Sequence, residues 1–201
     1  MSSWLVLASA CAAFVAPDTT TAIITQESGG NPLAVHVNGL KQQPRQPQNM
    51  QEAVQTATVF IMRGYSVDLG LMQVNSRNLP ALGLRVADAF EPCANIHAGA
   101  TVLAADYVEA SKTTGPGRTA LLAALSAYNT GNFYEGFLNG YVGRYTLIPA
   151  GLMQYAQEQE SRHAPRYKRA DNPDALVSPH HSPDGGVVRL AGKDNTVVFY
   201  Q

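Results

Sequence analysis

Charge is scarce in this chain and nearly cancels: 14 Lys and Arg stand against 15 Asp and Glu in 201 residues, a formal net charge of −1. That balance gives no electrostatic reason to hold a polyanion, and no Lys/Arg-rich stretch is present to follow a phosphate backbone, so nucleic-acid binding is disfavoured. Cysteine is nearly absent. Cys11 and Cys93 lie far apart with no second Cys or His at ligand spacing, which excludes a zinc knuckle. They are left as two independent thiols or as a disulfide of an oxidising compartment. The apolar amino-terminal run, residues 4–16, is too short to cross a bilayer comfortably, so no membrane span is expected. No motif suggests a nucleotide, and no cofactor or metal is expected. His180-His181 and His163 have no spaced third ligand on a defined element and are read as exposed histidines.

What is present is a helical pattern. Residues 4–16 have the length and apolarity of a signal-peptide core with a small-residue site at Ala8-Ser9-Ala10, but no Lys or Arg precedes Lys41. Trp4, Leu7, Cys11 and Phe14 or Val15 also share one helical face, so a cleaved signal and a first core helix stand side by side. A helix is expected from Pro17 to Gln26, stopped by Gly29-Gly30-Asn31-Pro32, and another from Gln51 to Arg63. Residues 38–49, rich in Gln and Pro, read as a loop. Residues 67–75 alternate loosely, as a short irregular β or extended segment, and residues 79–90 read as a short helix or turn. Helices follow over 96–110 and 119–128. Phe133, Phe137, Tyr141 and Tyr145 recur at helical spacing among glycines that weaken it, and a last helix starts at Pro149. The expected architecture is a mainly α domain over residues 1–160 with a flexible tail over 161–201.

Four clusters hold groups suited to chemistry. Glu27 falls at the end of its helix, one turn after Ile23. There the negative end of the helix dipole and partial burial both oppose ionisation, and a raised pKa is what a general acid at neutral pH needs. The plain alternative is a solvated helix-end carboxylate. Gly70-Leu71-Met72-Gln73, between Asp68 and Asn75, offers close backbone approach and an amide that both donates and accepts, as an N-acetyl group or sugar hydroxyl requires. Ala127-Tyr128-Asn129-Thr130-Gly131 ends a helix, where a cap is a sufficient structural explanation. Tyr141 has a hydroxyl that could orient a carboxyl, although an aromatic stripe at this spacing also serves a core.

Taken in order, Gln26-Glu27-Ser28-Gly29-Gly30-Asn31-Pro32, Gly70-Leu71-Met72-Gln73-Val74-Asn75, Ala127-Tyr128-Asn129-Thr130-Gly131-Asn132 and Gly140-Tyr141-Val142 resemble the soluble lytic transglycosylases. More narrowly they are similar to the peptidoglycan-cleaving members of type IV secretion and conjugation systems. The likeness runs from about Cys11 to Tyr145, includes Phe90-Glu91-Pro92-Cys93-Ala94-Asn95-Ile96, and leaves the tail uncovered.

The resemblance implies a lysozyme-like fold acting on glycan strands of peptidoglycan in the periplasm or cell envelope. It makes Glu27 the sole acid/base, places Ser28 and Tyr141 as residues that orient its carboxyl, and puts Met72, Gln73, Tyr128 and Asn129 at sugar subsites. It implies a Cys11–Cys93 disulfide, which would keep residues 1–16 in the mature fold. The tail is left as a plain surplus segment or as one that contacts envelope proteins of a secretion system. The implied product is a 1,6-anhydromuramoyl end. A lysozyme-like hydrolase would instead need a second carboxylate, for which Asp68 is the candidate. A domain that only binds glycan or scaffolds other proteins is the third reading. His36 and His97 are given no role.

Overall fold

A computed structural model describes residues 3–146 and 150–163. These form two compact units, residues 3–101 and residues 102–163. The protein is mainly helical with one small sheet, as expected for a mainly α lysozyme-like chain.

In the first unit, α1 (Ser3–Cys11) packs on α2 (Pro17–Ser28). The buried side of the amino-terminal segment runs through Ala8, Ala12 and Val15. Trp4 and Leu7, expected on the buried face, are only half covered. Pro17 and Asp18 suit the first turn of α2, where the missing N–H costs nothing and the carboxylate faces the positive end of the dipole. Thr20, Ile23 and Ile24 bury one face at spacings of three and four. Burying each isoleucine stabilises the helix by about 1.5–3 kcal/mol, more than its β-branched and threonine-rich sequence costs in propensity. The Gly29 N–H closes the helix on the Thr25 carbonyl, 3.2 Å away, so Glu27 and Ser28 fall inside the last turn rather than beyond it.

Strand β1 (Val35–Val37) pairs antiparallel with β2 (Val67–Leu69), which pairs with β3 (Val74–Asn75). The residues between them include α3 (Met50–Met62), capped by Asn49, whose side chain accepts the Glu52 N–H at 2.9 Å and donates to its carboxylate at 3.0 Å. The Gln-rich loop before α3 serves as the missing neighbour of β1. Gln43 donates to the Val37 carbonyl and accepts the Val37 N–H, both at 2.8 Å, and Gln46 brackets Val35 in the same way at 2.9 and 3.1 Å. Side-chain amides thus satisfy the outer edge of the sheet and close it to further strands.

After a 3-10 turn, the short α4 (Leu79–Leu82) and a second 3-10 turn, α5 (Pro92–Thr114) begins in the first unit, with residues from Val102 onward in the second. Cys11 and Cys93 form a disulfide with Cα atoms 5.3 Å apart, joining the end of α1 to the first turn of α5. His97, one turn along α5, has Nδ1 3.1 Å from the Cys11 carbonyl.

The second unit holds α6 (Arg118–Thr130), α7 (Glu135–Leu138), a 3-10 turn and α8 (Ala150–His163). The segment around Phe133–Tyr145 is broken into short pieces at Gly140, whose φ of 82° leaves the helical region. A Cβ on Gly136 would lie 2.6 Å from the Ser126 Cα, so α7 rests directly on α6, with the Gly136 N–H donating to Ser126 Oγ at 2.8 Å. Helix α8 runs past the expected start of the tail at 161. Pro149, His180 and His181 lie outside the described residues. Among the described residues no helix is long and apolar enough to cross a membrane.

Candidate active site

Glu27 is half-buried in the last turn of α2. The next residue, Ser28, fixes that turn to the β2–β3 loop. Its hydroxyl lies 2.7 Å from the Leu71 carbonyl and 3.2 Å from the Ile24 carbonyl, and accepts the Gly30 N–H at 3.1 Å. One hydroxyl therefore joins the carboxylate-bearing helix end to the turn after it and to a loop 43 residues away.

The loop itself, residues 70–73, is tightly specified. Gly70 has φ 71°, and a Cβ there would sit 2.5 Å from Asn95 Nδ2. Its N–H donates to the Ala34 carbonyl at 2.9 Å. Leu71 and Met72 are fully buried. Met72, expected at a sugar subsite, therefore meets no solvent through its side chain. Gln73 is the only non-glycine with positive φ among the described residues, at 48°. Left-handed backbone in a residue with a side chain is unfavourable and persists only where surroundings impose it. Here its N–H reaches the Gly70 carbonyl at 3.2 Å, and its side-chain nitrogen reaches the same oxygen at 2.9 Å.

Asn95, to which sequence reasoning gave no role, holds this loop from beneath. It is 1% exposed, its Oδ1 accepts the Met72 N–H at 2.8 Å, and its Nδ2 donates to the Leu69 carbonyl at 2.8 Å and the Ala89 carbonyl at 2.6 Å. An amide set between Ala94 and Ile96 on the buried side of α5 is the signal that could have found it, since a buried polar side chain must have partners.

Asp68, the candidate second carboxylate of a hydrolase, is half-buried in β2. Its Oδ1 accepts the Asn75 amide at 2.6 Å and its Oδ2 the Asn38 amide at 2.8 Å. Burial pushes its pKa above the usual carboxylate range, against the opposing pull of those two amides and of His36 across the strand. Both oxygens thus tie the sheet together, an arrangement suited to structure rather than to activating water.

The family description "Transglycosylase SLT domain" matches residues 5–146, which take in the α2 end, the Gly70–Gln73 loop and Asn95. The chain belongs to the transglycosylase SLT family. Curated relatives agree. The type IV secretion system protein virB1 of Brucella abortus is 44% identical over 138 residues, covering 68% of this chain and 58% of the relative. The protein virB1 of Agrobacterium fabrum is 42% identical over 132 residues, covering 66% of this chain and 53% of the relative. A virB1 protein of Rhizobium radiobacter is 39% identical over 145 residues, covering 70% and 60%. The chain therefore spans little more than half the length of these relatives. No solved structure matches it.

The SLT match also includes the second unit's candidates. Tyr128 and Asn129 lie in the last turn of α6, half-buried and exposed respectively. Asn129 Oδ1 accepts the Asn139 amide at 3.1 Å, and Asn139 Oδ1 accepts the Tyr141 N–H at 2.9 Å. Tyr141 is 3% exposed, with its hydroxyl 2.8 Å from that of Tyr145 and the Arg144 guanidinium 5.7 Å from its ring centre. Asn129, Asn139, Tyr141 and Tyr145 thus form one polar chain along the α6–α7 end. Among the described residues no group of three or more His, Cys, Asp or Glu side chains is placed to hold a metal ion.

Proposed function

We propose that the chain is a peptidoglycan lytic transglycosylase with Glu27 as its acid and base. The observation that carries the reading is the half-buried Glu27 in the last turn of α2, pinned through Ser28 to the loop that presents Gln73. The carboxyl first gives its proton to the glycosidic oxygen between N-acetylmuramic acid and N-acetylglucosamine, and the bond from that oxygen to the muramoyl C1 breaks. The substrate's own acetamido group stabilises the cation, and the muramoyl C6 oxygen then bonds to C1 as Glu27 takes back the hydroxyl proton. One proton leaves and one returns, and no water is consumed. A single group that acts first as acid and then as base works best with its pKa near the operating pH, which partial burial at the negative end of a helix favours.

In this reading Ser28 fixes the carboxylate's helix end and Gln73 contacts an N-acetyl or hydroxyl group. Tyr128, Asn129 and Tyr141 belong to the machinery whose variants alter turnover. The occupied oxygens of Asp68 weigh against a hydrolase. The family relation to virB1 proteins supports action in the cell envelope, opening the wall for a type IV secretion or conjugation apparatus. The tail, outside the matched residues, is proposed as the segment that contacts its envelope proteins. Digestion of isolated sacculi followed by mass spectrometry of the muropeptides tests the chemistry. Anhydromuramoyl ends are expected, and reducing ends would establish hydrolysis instead.

A further inference from the structure

We propose that Asn95 is a positioning residue for this reaction, setting Glu27 and Gln73 together through a single peptide unit. The inference rests on the roles proposed above for those two residues. The carbonyl of Leu71 and the N–H of Met72 belong to the same peptide plane. Ser28 Oγ lies 2.7 Å from that carbonyl and Asn95 Oδ1 lies 2.8 Å from that N–H. A continuous hydrogen-bonded path thus leads from α5 through the peptide to the residue beside Glu27, and each bond in such a chain polarises the next. The same amide donates to Leu69 O on the near side of the loop, at 2.8 Å. One step beyond the clamped peptide is Gln73, whose left-handed backbone needs an external constraint.

The side chain is matched to its place. Asn95 is 1% exposed with one acceptor and two donor bonds made, and the bare Gly70 backbone is what gives its Nδ2 room. Alanine leaves the Met72 N–H and the Leu69 and Ala89 carbonyls without this partner. Aspartate retains the acceptor for Met72, but when ionised it turns a negative oxygen toward two carbonyls. When protonated it can donate to one of them. Burial favours the protonated form, so this variant is switched by pH within an unchanged shape.

The experiment compares full-length wild type, Asn95→Asp and Asn95→Ala for kcat and KM on purified glycan strands at about pH 5 and about pH 8. Melting and exchange of the Met72 amide are read on the same samples. Relative to wild type at each pH, kcat of Asn95→Asp is expected to fall about 10- to 100-fold at the higher pH and to recover to within about threefold at the lower, as a small misplacement of a reacting group produces. In folded Asn95→Ala the loss persists at both pH values and Met72 exchanges faster. Wild-type kcat in either folded variant at the higher pH, or a kcat that tracks only the folded fraction, overturns the proposal. Wild type that makes no product at all overturns the lytic reading. In that case Met72 exchange still decides the clamp, and unchanged protection in folded Asn95→Ala overturns it.

Discussion

Removing the Cys11–Cys93 bridge should cost the protein a large part of its stability. The two cysteines are 82 residues apart in sequence. In the chain-entropy account, a loop of that length restricts the unfolded chain enough to stabilise the fold by about 4.5 kcal/mol. For a domain of this size each kcal/mol moves Tm by about 2–4 °C, so a Cys11→Ala/Cys93→Ala double variant is expected to melt about 9–18 °C below wild type. Cys93 is exposed and Cys11 half-buried, so a reductant reaches the bond, and reduced wild type should melt with the double variant. Calorimetry with and without reductant is the assay, on protein whose bridge has been verified by mass. A drop of less than about 3 °C would refute the loop-length reasoning and show that the denatured chain is already constrained, or that α1 is held by its packing on α2 alone.

Two further perturbations probe groups outside that bridge. Asp106 in α5 is 8% exposed, its Oδ2 has no hydrogen-bond partner among the described residues, and burial pushes its pKa up to about 7. A carboxyl with a raised folded pKa adds stability at low pH that is lost as pH rises from about 4 through about 7, so the Tm advantage of Asp106→Asn over wild type should grow across that window. Parallel melting curves of the two proteins from about pH 4 to about pH 8 would contradict this. At the left-handed position 73, Gln73→Gly should be about 1 kcal/mol more stable than Gln73→Ala in denaturant unfolding, because only glycine escapes the backbone cost. An alanine variant of equal or greater stability would show that the loop relaxes freely.

The long elements were legible because their apolar spacing decides them. Thr20, Ile23 and Ile24 in α2 and the Ala/Leu run of α6 bury the faces their period marks. Strand β1 was not legible, since Val35-His36-Val37 offers only two apolar residues, and the groups that complete it are glutamines in a segment whose composition signals a loop. The aromatic recurrence at 133–145 gave the spacing but not the left-handed turn at Gly140 that breaks it, nor the contact of Gly136 with Ser126, which depends on another helix. Glu27, Gln73, Tyr128 and Tyr141 were visible as ordered motifs. Asn95 stood inside one of them, yet its role depends on three backbone groups brought to it by other elements. Hydrogen-bond partners of that kind leave no periodic trace in a sequence.

The central claim is tested most directly by Glu27→Gln, which keeps the size and the hydrogen-bonding reach of the side chain and removes the transferable proton. Incubated with sacculi beside wild type, with matched melting curves and matched sacculus binding, the variant should yield no anhydromuramoyl ends above background, a loss of at least about 100-fold. Anhydro products from the folded variant at a rate near wild type would contradict the account and require another residue as the acid and base.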